Sequence, residues 1–394
     1  MSRVAAGALA SSPAGAAEPA LSRAKGLGAA YGSRVAEKRP SLQCRPVTAL
    51  DDFLRREIDA GSFPGAVYAA GSSRGIEREN ALGHAVAVPL RIPATLDTLY
   101  DCASLTKPLI TTTLALQMLD VDDRVRQLLT HTSGLRAWMP LYMRSRGNAF
   151  VQSRGVEPVP DSETAKPRDP ETAARDRYLT AIREHGAEYE PGTRVVYSDL
   201  NFVLLWSMLP DYVSLAGERI LGPLGIESDA MFHPPPSLRP RIAATEWGQR
   251  FEAKLAGIPE IASLRDGLMW GEVNDGNSFG AGGTAGNAGL FATARAVFRI
   301  AQAWANAELL PRNVVTEATR NQTAGLNESR GLGWQTSPTG MYGHTGFTGT
   351  SVWIDPLRDK IMVLLTNRVH PCAAPVAMQR IRGEFHRLYL RTSA

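Results

Sequence analysis

Strand-like segments stand near both ends of this chain, and helix-like segments fill the middle. That order suggests one sheet closed by N- and C-terminal segments, with a helical insertion between them. The early strands are Gly65-Ala-Val-Tyr-Ala-Ala-Gly71 and a segment through Ile76 and Leu82 to Gly83, joined as a hairpin across Gly71-Ser-Ser-Arg-Gly75. The late ones are Thr350–Asp355 and Lys360–Asn367, joined by the turn Pro356-Leu-Arg-Asp359. Thr48 followed by Asp51 is a capping-box start, Leu50, Phe53, Leu54 and Ile58 then share one helix face, and Gly61 closes the helix. A largely apolar, buried helix is predicted from Ser104 to about Leu119, with Pro108 tolerated in its first turn. Further helices are predicted at Ala173–Glu184, at Leu200–Met208, and over a last segment carrying Met378, Ile381, Phe385 and Leu388 on one face. The polar stretch from Arg144 to Arg177 has no period and is expected to be a long surface loop.

Composition narrows the class. The chain has 394 residues, 44% of them hydrophobic, with 36 glycines and 26 prolines: a globular protein with many turns, not a collagen, a coiled coil or a disordered chain. Arg3, Arg23, Lys25 and Arg34 against Glu18 place most of the formal charge of +4 in the first 36 residues, so the rest offers no basic face for nucleic acid. Cys44, Cys102 and Cys372 are too few and too scattered for a disulfide framework or a metal knuckle. No apolar run approaches the roughly 18 residues of a membrane span. Residues 1–44, rich in Ala, Ser and Gly, lack the apolar core of a secretory signal and suit either a transit peptide or a plain solvated tail; folded structure is expected from about Pro46.

Three short segments carry chemistry. In Ser104-Leu-Thr-Lys107, three-residue spacing on a helix puts the lysine ammonium beside the serine hydroxyl, and a lysine whose pKa is lowered by burial and neighbouring cations could take the serine proton. Tyr197-Ser-Asp-Leu-Asn201 follows the turn Glu190-Pro-Gly-Thr193 and brings a tyrosine to a loop-to-helix junction, where its hydroxyl can serve as base and then acid. Gly343-His-Thr-Gly-Phe-Thr-Gly349 lets the backbone approach a ligand and offer an N–H to an oxyanion. His131, in Leu129-Thr-His-Thr-Ser-Gly134, is expected to fix backbone, and Cys102 to be a small packed residue. The remaining histidines show no metal-binding spacing, and the glycine-rich Gly280–Gly289 matches no phosphate loop and is expected beneath the site's sheet.

In this order the three segments resemble the S-x-x-K, Y-x-N and K-T-G elements of the serine β-lactamase and penicillin-binding-protein superfamily, and are most similar to its class C-like branch. Leu128–Leu135, Gly280–Phe291 and Gly343–Asp355 also look like that branch, and the resemblance runs from about residue 45 to the end. It implies an α/β (α+β) fold, a central antiparallel sheet flanked by helices, with an α/β part over 45–103 and 241–394 and a helical part over 104–240. It makes Ser104 the acylated nucleophile, Lys107 its activating partner and Tyr197 the second base. The oxyanion hole would be the N–H groups of Ser104 and Phe347, with Asp199, His344, Thr345 and Gly346 binding substrate.

The implied activity is hydrolysis of a small ester, amide or peptide through an acyl-enzyme, with no metal or cofactor. His344 replaces the lysine of K-T-G, and a histidine neutral at pH 7 is a poorer partner for a β-lactam carboxylate, which favours esterase or D-peptidase over β-lactamase activity. Asp199 replaces the asparagine of Y-x-N, exchanging an amide for an acceptor-only carboxylate. Residues 118–125 and 201–224 are shorter than usual for the family, and they carry the alternative: a catalytically impaired penicillin-binding or ligand-binding scaffold of the same fold.

Overall fold

Thr48 caps the first helix in the way its spacing to Asp51 predicts. Its Oγ1 accepts from the Asp51 N–H at 3.2 Å, and the Asp51 carboxylate accepts from the Thr48 N–H at 3.2 Å. Helix α1 (Ala49–Asp59) buries Leu50, Phe53 and Leu54 and ends before Gly61, whose φ of +76° suits a residue without a β-carbon. The computed structural model describes residues 48–144, 170–257 and 265–392, all within the unit Val47–Ala394. The tail expected over 1–44 lies outside the described residues, as do residues 145–169 of the expected loop.

Strands β1 (Gly65–Ser72) and β2 (Gly75–Val86) form the expected hairpin, followed by the short β3 (Ile92–Pro93) and β4 (Tyr100–Asp101). The later strands are β5 (Ala230–Met231), β6 (Phe291–Ala292), β7 (Gln335–Thr336), β8 (Tyr342–Thr345), β9 (Ser351–Asp355) and β10 (Lys360–Thr366). The main sheet runs β3-β2-β1-β10-β9-β8-β7 with every neighbouring pair antiparallel. Its centre is therefore the β1–β10 pair, Ala66 opposite Thr366, and the sheet is closed by both ends of the chain as the sequence predicts. A second sheet, β4-β6-β5, draws β5 from within the part expected to be helical.

The helices that matter for the site are α2 (Thr113–Met118), α3 (Asp123–Leu129), α4 (Pro170–His185), α5 (Asp199–Ser207), α6 (Ala294–Asn306), α7 (Arg312–Thr319) and α8 (Met378–Thr392). Both faces of the central strands are covered, so β1 is buried throughout and its alternation assigns layers rather than inside and outside. Tyr68, Met362 and Leu364 pack with Phe53 of α1 and with Ile381 and Phe385 of α8; the rings of Tyr68 and Phe385 meet edge to face at 5.7 Å. Val67, Ala69, Val363 and Leu365 join the other core with Val297, Ile300 and Trp304 of α6. Helix α5 buries Leu200, Phe202, Val203, Leu205 and Trp206, apolar residues all round its axis, as befits a helix inside the core. No helix among the described residues is long and apolar enough to cross a membrane.

One element departs from its sequence pattern. The helix predicted from Ser104 to Leu119 opens as a 3-10 turn (Ala103–Leu105), widens into a π-helical stretch (Lys107–Thr112), and becomes α-helical only at α2. Pro108 lies at the start of the widened stretch, where a residue without an N–H loses no bond of its own. Helix α4 also starts earlier than predicted, at Pro170.

Candidate active site

The backbone leading to Ser104 is tied from three directions. The Cys102 N–H donates to the Leu290 carbonyl at 2.8 Å, Thr348 Oγ1 donates to the Asp101 carbonyl at 2.8 Å, and Thr350 Oγ1 donates to the Cys102 carbonyl at 3.0 Å. Ala103 takes a φ of +46°, a conformation that L-residues rarely adopt, and turns the chain sharply just before the serine. Asp101 holds that turn: its Oδ1 accepts from the Ala103 N–H at 2.8 Å and its Oδ2 from the Asn274 N–H at 2.6 Å. Cys102 is fully buried in the core, as expected of a packed residue.

Ser104 is half-buried and Lys107 fully buried, with Lys107 Nζ 2.9 Å from Ser104 Oγ. The same nitrogen donates to the Asn287 carbonyl at 3.1 Å and stands 2.6 Å from Asp199 Oδ1. Asp199 opens α5, and Tyr197, just before it, lies with its ring centroid 5.0 Å from Lys107 Nζ. Lys107 and Ser104 lie near enough to the Tyr197 hydroxyl to work against the effect of burial on its pKa. His131 positions this segment, as expected of a backbone-fixing residue: its carbonyl accepts from the Val196 N–H at 2.9 Å and its Nδ1 from the Ser198 N–H at 3.1 Å. The glycine-rich segment does not lie beneath the sheet; it packs along the helix after Ser104, where the Asn287 carbonyl meets Lys107 and the Gly286 carbonyl accepts from Thr111 Oγ1 at 2.6 Å.

On the opposite side, β8 delivers His344 and Thr345, and Gly346 and Phe347 follow at its end. His344 is buried and its Nδ1 is 2.8 Å from the Thr345 carbonyl, which fixes the proton on that nitrogen. The Phe347 N–H has no acceptor among the described residues. Ser104, Tyr197, His344, Thr345, Gly346 and Phe347 share the wall of one cavity of about 610 Å³. The same wall carries Arg330, Arg368 and Arg382 and, among the described residues, no carboxylate. Arg382 Nη2 donates to the Gly346 and Thr350 carbonyls at 3.1 and 2.9 Å, and Arg368 Nε to the Phe347 carbonyl at 2.7 Å. The buried Arg330 lies 5.3 Å from the Tyr197 ring and pairs with Glu328 at 2.6 Å.

Charge in the site follows from burial and these partners. Burial disfavours the Lys107 ammonium, but the Asp199 carboxylate and Tyr197 outweigh it and hold the group above its ordinary pKa. The lysine is thus a firm cation, opposite in direction to the lowered pKa that burial and neighbouring cations suggest from sequence. Burial raises Tyr197, with Lys107 working against the shift, so the phenol is neutral at pH 7. His131 and His344 are pushed well below the ordinary imidazole value by burial and by Arg330 and Lys107, and both are neutral. Arg382 falls to about 10 through burial and the like charge of Arg368.

Sequence reasoning singled out Ser104, Lys107, Tyr197, Asp199, His344, Thr345, Gly346 and Phe347, and the fold brings all of them together. It missed Asp101, Asn287 and the three arginines. A basic residue just before Gly-Leu-Gly-Trp334 and another on the last helix's mostly polar face were the only signals for Arg330 and Arg382.

Comparison with known proteins agrees with this geometry. A putative D-alanyl-D-alanine carboxypeptidase of Salmonella typhi is 27% identical, over 84% of this chain and 84% of its own. The octameric penicillin-binding protein homologue of Pyrococcus abyssi shares the fold with a TM-score of 0.60 at 17% identity, over 84% of this chain and 76% of that one. EstCE1, a hydrolase with promiscuous acyltransferase activity, does so with a TM-score of 0.58 at 18% identity, over 81% of this chain and 92% of that one. A variant of the simvastatin synthase LovD of Aspergillus terreus follows with a TM-score of 0.57 at 18% identity, over 86% and 97%. The Beta-lactamase family model matches residues 122–384, most of the chain, beginning downstream of Ser104 and Lys107. With strand order, cavity and sequence match in agreement, the chain belongs to the beta-lactamase family.

Proposed function

We propose that this protein is a serine hydrolase that cleaves esters or small amides through an acyl-enzyme on Ser104, acting as an esterase or D-peptidase with weak β-lactam hydrolysis at most. The observation that carries this reading is the 2.9 Å contact between Ser104 Oγ and Lys107 Nζ on the wall of an open cavity. Ser104 Oγ attacks the substrate carbonyl as its proton passes to the Tyr197 hydroxyl, and the N–H groups of Ser104 and Phe347 receive the oxyanion. Tyr197, a neutral phenol beside Ser104 and Lys107, passes its own proton to the leaving group. Water then repeats the sequence on the acyl-enzyme and releases the acid.

The cavity also supports a choice among substrates. Its cations are arginines, while the histidine in the lysine position of K-T-G is neutral. Two guanidinium groups near one another on this wall, Arg368 and Arg382, favour a substrate that brings a carboxylate. The relatives named as a putative D-alanyl-D-alanine carboxypeptidase and as a hydrolase with promiscuous acyltransferase activity fit the same class of reaction.

The test is intact-mass spectrometry after incubation with a fluorophosphonate, p-nitrophenyl butyrate or a penicillin, with nitrophenol release followed in parallel. We expect labelling and turnover in the wild type, both lost in Ser104→Ala. A folded wild type silent towards every reagent would overturn the reading and favour a ligand-binding scaffold.

A further inference from the structure

Three of the nine large apolar side chains left exposed among the described residues recur every four residues in one segment: Trp247, Phe251 and Leu255, at 45%, 43% and 55% exposure. Solvated apolar side chains are ordinary one at a time, but a row of them marks a surface that something covers. The row is not a frayed end. The short helix Arg250–Leu255 is pinned by the buried Glu252 and Ala253, with the Glu252 carboxylate accepting from the Gly276 N–H at 3.0 Å. That leaves Phe251 and Leu255, four apart on one face, turned to water. Just before the helix, the Trp247 N–H donates to the Pro371 carbonyl at 2.8 Å.

Phe251 joins the row to the reaction cavity. Its ring lies against that of Phe347, centroids 4.8 Å apart at an angle of 42°. Phe347 lines the cavity together with Ser104, and its N–H is the second oxyanion donor of the proposed reaction. A carbonyl oxygen bonded to that N–H puts the acyl carbon roughly 4 Å from the Phe347 nitrogen. Of the remaining directions at that carbon, Ser104 Oγ takes one and the leaving group turns to Tyr197. The acyl substituent therefore starts beside Phe347, and the ring that continues the Phe347 surface outward is Phe251. Resting on the serine-hydrolase reading, we propose that Phe347, Phe251 and Leu255 form the acyl-group site of this enzyme and that its substrates carry an extended apolar acyl group. Phe251 and Leu255 touch no reacting atom; they set specificity by withdrawing the far end of the acyl group from water. Arg368 and Arg382 lie on the Phe347 wall too, so a carboxylate and an apolar body can belong to one substrate. Four methylenes fully withdrawn from water would favour an octanoyl over a butyryl ester by about 200-fold, and a surface open to solvent on one side gives a fraction of that, about 10-fold.

The test is the steady-state rate on p-nitrophenyl acetate, butyrate and octanoate, each kept below the concentration at which it forms micelles. In the wild type kcat/KM should rise about 10-fold from butyrate to octanoate, carried by KM, because contacts made equally in the ground and transition states leave kcat unchanged. Phe251→Ser should bring the octanoate-to-butyrate ratio to within about twofold of unity, Leu255→Ser should lower it about threefold, and Phe251→Leu should keep most of it. Leu357→Ser, which removes an exposed side chain from the turn between β9 and β10, should leave the ratio at its wild-type value. Equal rates on butyrate and octanoate in the wild type, or a preference that survives Phe251→Ser, would overturn the acyl-group site and leave the serine hydrolase standing. A Phe251→Ser protein that keeps the preference but sediments as a smaller particle would assign the row to contact between copies of this chain instead. Turnover of none of the esters, with no fluorophosphonate label on Ser104, would remove the hydrolase reading and the acyl-group site with it.

Discussion

A β-carbon at Gly346 would collide with Thr350 Oγ1 and sit 2.7 Å from the Cys102 carbonyl, with Ser104 two residues further on. Backbone must therefore move if that position gains a methyl group, and the backbone that moves carries the Phe347 N–H. We expect Gly346→Ala to lower kcat by about 100-fold, the loss typical of one oxyanion donor, with a normal circular dichroism spectrum. Arg382 lends two N–H groups to carbonyls and turns the rest of its charge to the cavity. Arg382→Gln should reduce the preference for phenyl hemiglutarate over phenyl butyrate by about 10-fold or more, measured as the ratio of kcat/KM values. At this scale the sequence was legible where chemistry is local. Ser104 and Lys107 are three residues apart, and Tyr197 stands at a visible junction. Asn287 and Arg382 reach the site only through the fold, and no spacing announces them. The same is true of the charge on Lys107: burial could be anticipated from the apolar run, but the close carboxylate that outweighs it comes from another helix.

Among the elements, the turn at Ala103 and the short helix Gly276–Gly280 share a buried acidic shell. Asp101, Glu246, Glu252 and Asp275 are all raised, first by burial, and Arg265 is the cation among them, donating to Gln249 Oε1 at 2.8 Å and to the Asn274 carbonyl at 2.7 Å. Asp101 rises from 3.8 to about 6, against the two N–H groups it accepts from. An acid whose pKa is higher in the folded state binds its proton there in a range where the unfolded chain has lost it. Its contribution is greatest below the unfolded value and is lost as pH climbs through about 4 to 6, a change of about 3 kcal/mol at 1.36 kcal/mol per pH unit. We expect wild-type stability in urea to fall between pH 4 and 7, and Asp101→Asn to flatten that fall while lowering stability at pH 4, since an amide can accept only one of the two N–H groups. The long helices and strands follow their sequence periods. The two-residue strands β3, β4, β5, β6 and β7 do not, because two residues carry no period, and the π-helical stretch after Ser104 is set by packing that an apolar run does not reveal.

Across the whole molecule, the shortened connectors do not disturb the site's framework. Helix α2 ends at Met118 and α3 begins at Asp123, with Asp122 capping it through the Val125 N–H at 2.8 Å. Tyr197 lines the cavity and Asp199 opens α5, both ahead of the compressed residues, so the shortening falls behind these two side chains. The overall architecture was open to sequence reasoning because its two halves of sheet have clear patterns; their partner choice, β1 with β10, is a matter of topology. That pairing sets the order of events at the ribosome. Ala66 waits for Thr366, so at roughly 5–20 residues per second the first hairpin spends about 15–60 s of synthesis with one edge bare. Gly346, Phe347 and the cavity's Arg382 emerge in the same last stretch, so a nascent chain carries Ser104 long before the cavity around it is complete.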